Sequence, residues 1–369
     1  MSDLVRILHV FGVVNLGGAE SRIMDLYRTI DRTKFQFDFM VHTTERGHYQ
    51  DEIESMGGHV YNVPRFVVSN MLSYKKAWVQ FFQEHTEYQV VHGHMTSTAS
   101  VYLPIAKKSG VPITIAHSRN AGVDVGIKGN ITHLMRHNLW KKCDYCLACS
   151  TEASYAVFGK KQSVQEKVVM LPNGIRTRNY EYQPEVANRI RGELNLVGRW
   201  IIGHVGRFHK AKNHEFLIDI FSEIKKREEK AVLILLGEGA LMPKIQEKVQ
   251  QLALEKDVVF LGNRTPIADY YQVMDYFVFP SFYEGMPGVV VEAQCTGLRC
   301  ILSENITREV AVTNGVRYES LQTSAKEWAN KVIETKDYER QSKVNELIEK
   351  GFDVESQWEV IQQIYLREQ

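Results

Sequence analysis

The chain has 369 residues, 44% hydrophobic and 24% charged, which is the balance of a soluble globular protein, and its length calls for two domains of ordinary size. A formal net charge of +1 excludes a general nucleic-acid binder, and no apolar run approaches the length that spans a bilayer. The N-terminus has too short an apolar stretch and too few basic residues for a signal peptide, so a cytoplasmic location is expected.

Strand-like apolar runs alternate with helical patterns from end to end, the signature of parallel α/β sheets. The first series comprises residues 5–14, 35–41, 90–94, 112–117, 145–150 and 168–171. After the first run, Asn15-Leu16-Gly17-Gly18-Ala19-Glu20 opens a helix whose apolar face carries Ile23, Leu26, Tyr27 and Ile30. Paired glycines let backbone approach a ligand closely where a helix N-terminus points at it, and they equally serve a tight turn that binds nothing. The run is not GxGxxG, and no acidic residue at a second strand end completes a dinucleotide site, which disfavours a nicotinamide enzyme.

His92 and His94, at i and i+2, can share one strand face, but no third metal ligand is evident. His117 ends the run 112–117 and is followed by Ser118-Arg119-Asn120. A histidine there can donate to or accept from a substrate hydroxyl, or serve only the core. Cys143, Cys146 and Cys149 form a CxxCxxC run, yet Cys146 and Cys149 fall on opposite faces of a strand and no fourth cysteine is near in sequence. Five cysteines, an odd number, imply reduced thiols.

A polar stretch, 176–199, lacks a strand and precedes a second series at 200–206, 232–236, 258–261, 276–280 and 299–302. Two doubly wound Rossmann-like domains, 1–175 and 176–352, account for both series. Ligands of such sheets bind at the carboxyl ends of the strands, so the domains are expected to face one interdomain cleft. The end of the chain, 353–369, places Trp358, Ile361, Ile364 and Tyr365 at helical spacing and reads as an amphipathic helix docked on a domain surface.

Two motifs of the second series carry most of the chemistry. At its first strand end the chain reads Gly206-Arg207-Phe208-His209-Lys210-Ala211-Lys212-Asn213, where Arg207 and Lys212 could neutralise a diphosphate leaving group or form a solvated basic turn. After its fourth strand comes Phe282-Tyr283-Glu284-Gly285-Met286-Pro287-Gly288-Val289-Val290-Val291-Glu292. Pro287 suits the start of a helix, whose free N–H groups and positive dipole end form an anion site. Glu284 just before that end and Glu292 about one turn inside it are spaced to accept hydrogen bonds from hydroxyls flanking a bound diphosphate. The alternative is an ordinary surface helix after a solvated loop.

Taken together, these residues resemble a retaining glycosyltransferase of glycosyltransferase family 4, with the two-domain GT-B fold. The resemblance spans nearly the whole chain: the Gly17-Gly18 turn, the Leu171-Pro172-Asn173-Gly174 segment, the Gly206-Arg207 to Lys212 element and the Glu284 to Glu292 motif, the last being the most specific. Within the family the Gly17-Gly18-Ala19-Glu20 turn is similar to that of the branch building bacterial capsular and exopolysaccharides. The resemblance implies that Glu292 holds the ribose hydroxyls and that Glu284, Met286, Pro287 and Gly288 lie along the donor sugar. It further implies that Arg207 and Lys212 bind the diphosphate from one side with Gly17 and Gly18 on the other, and that Asn263 and Arg264 contact the base. His117 matches a family histidine near the reacting carbon, which positions the sugar or assists acceptor attack, and the final helix would cross back onto the first domain. One departure is Arg176, which stands where the family often has an acidic residue, so a role for that acid in linking the domains is not carried over.

The expected reaction moves a sugar from a nucleotide diphosphate sugar, a UDP-sugar, held mainly by the second domain to a hydroxyl of a glycan or polyprenyl-linked glycan at the first. Cleft closure would expel water. No paired acidic metal site is evident, so neither metal nor other cofactor is expected, and retention of anomeric configuration follows from the resemblance alone. Lys128, Arg136, Lys141 and Lys142 around the partly apolar stretch 127–140 could rest on an anionic membrane, or form a solvated helix face. Two rival functions are a sugar-nucleotide epimerase, which needs no acceptor, and a non-catalytic nucleotide-sugar sensor, which neither transfers nor hydrolyses.

Overall fold

A computed structural model describes residues 4–119 and 126–367, without the side chains of 127 and 128; Asn120 and the Lys128 side chain of the basic stretch therefore lie outside the described residues. The chain divides into two compact units, Met1–Gly174 with Val354–Gln369, and Ile175–Asp353.

The first unit carries a seven-stranded parallel sheet made of β1 (Val5–Val10), β2 (Phe35–Val41), β3 (Val60–Asn62), β4 (Tyr88–Gly93), β5 (Ile113–Ser118), β6 (Tyr145–Ala148) and β7 (Val168–Met170), in the order β3-β2-β1-β4-β5-β6-β7. Because successive side chains of a strand alternate faces, β1 sends Ile7 to one apolar layer with Phe37 and Phe39, and Leu8 and Val10 to the other with Trp78 and Tyr102. Both layers exclude water, which is why the central strands read as near-continuous apolar runs. The helix Val354–Leu366 adds Val354, Ile361, Ile364 and Tyr365 to the first layer, beside Ile23 and Tyr27 of the helix Gly18–Thr29. Trp358 packs edge-on to Phe35, with ring centroids 4.8 Å apart.

The second unit is a six-stranded parallel sheet of β8 (Trp200–Val205), β9 (Ala231–Leu236), β10 (Val258–Gly262), β11 (Tyr276–Phe279), β12 (Arg299–Ser303) and β13 (Val316–Glu319), ordered β10-β9-β8-β11-β12-β13. The stretch 176–199, polar and strandless in sequence, holds the helix Pro184–Glu193, which starts at a proline and buries Ala187 and Ile190. Arg191 Nη2 of that helix donates to Asp275 Oδ1 at 2.6 Å, fastening it to the second unit.

In each sheet the strand order reverses once, between β1 and β4 and between β8 and β11. Loops leaving the carboxyl ends of those strands diverge to opposite faces and open a crevice, which is where open α/β sheets bind ligands. Among the described residues no helix is long and apolar enough to cross a membrane.

Candidate functional site

The reversal point of the second unit gathers the two charged motifs. Beyond β8, Gly206 is closely packed: a Cβ there would stand 3.0 Å from His204 Nε2 and 3.2 Å from Lys212 Cδ, so a side chain would press on the Lys212 stem. Arg207 follows, exposed, and Lys210–Lys212 makes one 3-10 turn into the helix His214–Lys225. Two hydrogen bonds stitch this turn to the loop leaving β11: Phe282 N donates to Ala211 O at 2.8 Å, and Asn213 Nδ2 donates to Pro280 O at 3.1 Å. The consequence is an ion pair, Lys212 Nζ to Glu284 Oε1 at 2.6 Å, with both side chains only 18% exposed. Lys212 Nζ also lies 4.7 Å from the centre of the Phe279 ring. Residues 72 apart in sequence thus meet, and the charge Lys212 offers a ligand is already shared with Glu284.

Pro287, in extended conformation, caps the helix Gly288–Cys295. Val290 through Cys295 are all buried, so this helix is a core element and the surface-helix alternative does not hold. Glu292 is 5% exposed, and Tyr271 Oη donates to its Oε2 at 2.9 Å. A carboxylate in so dry a place is retained only where donors hold it. Met286 is buried beside the helix start. Asn263 and Arg264 are exposed at the carboxyl end of β10, on the sheet edge two strands from β8, and are not drawn into the Lys212–Glu284 contact.

In the first unit the reversal point collects imidazoles. Register places His9 of β1 opposite His92 of β4, and β5 beside β4 brings His117 into line. His9, His92 and His117 are fully buried. His92 Nε2 lies 2.9 Å from His117 Nδ1, His92 Nδ1 lies 2.7 Å from Tyr365 Oη of the terminal helix, and His9 Nδ1 lies 3.1 Å from His94 Nε2. Arg119, 9% exposed, donates through Nε to His94 Nδ1 and through Nη1 to Asn173 Oδ1, each at 3.3 Å. Burial, then the Arg119 charge and the neighbouring rings, holds all four imidazoles well below the usual histidine range. Burial also brings Arg119 itself down to about 10.

A third imidazole, not evident in sequence, is therefore present: His9, His92 and His94 offer nitrogens all within 4.8 Å of one another and could hold a metal ion. The guanidinium of Arg119 opposes a cation there. The CxxCxxC run is not closed, with Cys143 and Cys146 sulfurs 3.7 Å apart and all five thiols free.

Gly17 is the N-cap of the helix Gly18–Thr29 with φ −120°, a conformation open to any residue, and a Cβ on Gly18 would meet nothing within 4 Å. Backbone dihedrals demand neither glycine, but a Cβ on Gly17 would strike the Glu20 carboxylate, so a side chain there would have to displace it. A Cβ on Gly174 would strike Gln357, whose Nε2 donates to Pro172 O at 2.7 Å. The segment carrying Asn173 is thereby clamped by the terminal helix. In the basic stretch, the helix Gly126–Arg136 leaves Leu134 73% exposed, while the Trp140 ring is flanked by Lys141 and Lys167 at about 5 Å.

Two doubly wound parallel units, each with polar groups at its strand-order reversal, define the GT-B class of glycosyltransferase architecture. HepE of Anabaena, solved in complex with UDP, shares that fold with a TM-score of 0.78 and 17% identity, over 99% of this chain and 100% of its own. The chain belongs to glycosyltransferase family 4: residues 16–179 match the family described as Glycosyltransferase Family 4, and residues 199–336 that described as Glycosyl transferases group 1. EpsF of Bacillus subtilis (strain 168) is 36% identical over 84% of this chain and 82% of its own. CapH of Staphylococcus aureus, a capsular polysaccharide biosynthesis glycosyltransferase, is 24% identical over 98% of this chain and 99% of its own. The protein is accordingly an enzyme of the glycosyl-transferring class, and the epimerase and sensor readings are set aside.

Proposed function

We propose that the enzyme transfers a sugar from a UDP-sugar, with retention of anomeric configuration, to a hydroxyl of a glycan or polyprenyl-linked glycan in capsular or exopolysaccharide synthesis. The observation that carries this reading is the convergence of Arg207, the Lys212–Glu284 pair and the start of the helix Gly288–Cys295 at one strand-order reversal. Cations and unpaired backbone N–H groups at one place suit a departing diphosphate. CapH's role and the UDP bound to HepE favour the polysaccharide and the nucleotide.

In this reading Arg207, Lys212 and the helix start stabilise the leaving diphosphate, without a metal ion. Glu292, oriented by Tyr271, accepts from the ribose hydroxyls; Asn263 and Arg264 meet the base. Glu284, Met286, Pro287 and Gly288 line the donor sugar, and Glu284 also keeps Lys212 in place when no donor is bound. Gly17 and Gly18 lie on the other side of the diphosphate from Arg207 and Lys212, and His117 stands near the reacting carbon. The acceptor binds mainly to the first unit and the donor mainly to the second. The enzyme works in the cytoplasm, with Lys128, Arg136, Lys141 and Lys142 giving peripheral contact to the inner face of the membrane.

Screening UDP- and GDP-sugars for thermal stabilisation, then for UDP release with free and polyprenyl-linked glycan acceptors, tests the proposal. One UDP-sugar should stabilise the protein and release UDP only when an acceptor is added, and proton NMR of the product should show the donor's anomeric configuration. Stabilisation by no UDP-sugar, or an inverted product, refutes it. Flotation with anionic liposomes tests the membrane contact.

A further inference from the structure

The outer face of the first unit carries a cluster of exposed aliphatic side chains that the site does not use. We propose that the turn and helix of residues 65–79 dock the enzyme on an anionic lipid bilayer, with Val67, Val68 and Leu72 entering the headgroup region and Arg65, Lys75 and Lys76 meeting lipid phosphates. The proposal rests on the reading above that the acceptor is lipid-linked, and it names a surface separate from the basic stretch 127–142.

Between β3 and β4 lie a 3-10 turn, Val68–Asn70, and the helix Met71–Glu84. The helix buries Tyr74, Trp78, Phe81 and Phe82 in the layer of Leu8 and Val10, and Phe66 packs edge-on to Tyr74 with ring centroids 5.2 Å apart. The core is thus filled by rings, and Val67, Val68 and Leu72 are left 49%, 60% and 84% exposed. Hydrogen bonds hold the two valines out: Asn70 Oδ1 accepts from Val67 N and Asn70 Nδ2 donates to Arg65 O, each at 2.9 Å, while Asn70 N donates to Val67 O at 3.0 Å. A turn tied this way cannot fold its valines under to meet the core. Along the helix, Leu72, Lys75, Lys76 and Val79 stand at i, i+3, i+4 and i+7 and are all exposed, so they form one outward stripe. Four aliphatic side chains exposed together mark a contact surface, where single ones would need no explanation.

Charge selects what covers it. From Ser55 to Gln83 the chain has no acidic residue, while Arg65, Lys75 and Lys76 are all exposed. Glu84 lies at the far end of the helix, about 18 Å along its axis from Leu72. The acids of the helix Gln50–Ser55 belong to the opposite face of the sheet, where Ile53 joins the other apolar layer. A second copy of the chain would set three cations against three, which opposes self-association through this face. Protein interfaces are enriched in aromatic residues and poor in lysine, and the exposed stripe has the reverse composition. A bilayer suits it: short aliphatic side chains enter the acyl boundary, and lysines lay their apolar stems along it while the ammonium groups reach phosphates. Position agrees with charge. The loop 63–70 leaves the carboxyl end of β3 as the Gly17–Gly18 turn leaves that of β1, two strands away, so the patch and the crevice of the first unit share one edge of a parallel sheet. Lying on this patch, the first unit holds its acceptor crevice close to the plane from which a polyprenyl-linked glycan emerges.

The test is flotation of the full chain with vesicles of phosphatidylcholine mixed with phosphatidylglycerol, and with vesicles of phosphatidylcholine alone. The protein should float with the anionic vesicles, much less with the neutral ones, and less again in high salt. Val68→Ser combined with Leu72→Gln should lower the partition coefficient about tenfold or more, and Lys75→Gln combined with Lys76→Gln about thirtyfold. All four side chains are exposed, so each double variant should melt within about 2 °C of the wild type. Lys141→Gln with Lys142→Gln should cost less than either pair. Equal flotation with both kinds of vesicle, unchanged flotation of the patch variants, or a larger loss in the Lys141 and Lys142 pair overturns the proposal, as does a wild-type dimer in sedimentation that Leu72→Gln dissolves. Turnover separates the docking from the reading beneath it. Val68→Ser with Leu72→Gln should lose transfer to a polyprenyl-linked acceptor in vesicles and keep transfer to a soluble glycan; equal loss on both acceptors counts against docking. Transfer to no glycan at all would defeat the reading above, while anionic flotation carried by the patch would still support the docking.

Discussion

The second unit sets an exposed arginine and a partly solvated ion pair beyond its strand ends, whereas the first packs four imidazoles, three of them fully buried, around one guanidinium. Arg207 is exposed and Lys212 and Glu284 share an ion pair with partial access to solvent, while His9, His92 and His117 have none and Arg119 nearly none. The contrast follows from where each residue sits on its sheet. His9 and His92 lie within strands, facing the apolar layer of Phe37 and Phe39, where an imidazolium could not be solvated. The cations of the second unit stand beyond the strand ends, on turns that water reaches. Water can therefore reach the cations of the second unit, while the imidazoles of the first are left with one another, Tyr365 and Arg119 as partners.

Acid should expose this difference most strongly. The folded state lowers the affinity of these histidines for protons, so below the unfolded value near 6.5 the unfolded chain binds more protons, and stability falls as pH falls. From pH 6.5 to 5.5 each such imidazole withdraws about 1 kcal/mol. Among the described residues the first unit holds His9, His42, His92, His94 and His117 in this state and the second His204 and His214, the last lowered to about 4. The charges nearest the cluster, Arg119 and the partly buried Glu20, do not reverse the sign: Arg119 depresses the histidines further, and burial raises Glu20 toward its neutral form. Hydrogen exchange by mass spectrometry, corrected for intrinsic rate, should therefore show peptides of β1, β4 and β5 losing protection before those of β8 and β11. The opposite order would break the comparison.

Next in size is the loss of a cation from the second unit. Arg207→Ala and Lys212→Ala should each lower turnover by about a hundred- to a thousandfold, some 3 to 4 kcal/mol of transition-state stabilisation. The Lys212–Glu284 pair is partly solvated, so breaking it should cost at most about 1 kcal/mol of stability and shift Tm by less than about 4 °C. Glu284→Gln combined with Lys212→Ala checks that a stranded carboxylate is not the cause. Near-normal turnover in both single variants would mean that the exposed charges do not serve the reaction.

Much of this was legible in the sequence, and the gaps have physical causes. Central parallel strands are covered on both faces and read as continuous apolar runs, so β1, β4, β8 and β9 stood out. The edge strands β3 (Val-Tyr-Asn) and β13 (Val-Arg-Tyr-Glu) are covered less and gave no such run. Arg207, Lys212 and Glu284 stood out because each lies beyond a strand end where composition changes abruptly, and Glu292 because it is the one charged residue of an apolar helix. His9 was not singled out, being one histidine inside an apolar run, although the strand order at a reversal point puts β1 beside β4 and would have paired it with His92. Tyr365 read as one more apolar residue of an amphipathic helix. Its hydroxyl gains meaning only from packing 273 residues away in sequence, and no local pattern encodes that.

The smallest effect concerns Tyr271, where the two kinds of site meet: a buried neutral donor serving a charged group. Its hydroxyl has one proton and two acceptors in reach, Glu292 Oε2 at 2.9 Å and Val289 O at 3.2 Å, and the carboxylate is the nearer and stronger. Tyr271→Phe keeps the ring against Tyr180 and Phe277 and removes only the donor. Glu292 has interactions besides this one, so it is not stranded, and the expected loss is about 1 kcal/mol. If Glu292 holds ribose, that loss should appear as a three- to tenfold rise in the dissociation constant of UDP, measured by calorimetry, with kcat nearly unchanged. A fall in kcat at constant UDP affinity would place Glu292 in the chemistry itself, and the contrast between the two units would then have to be redrawn.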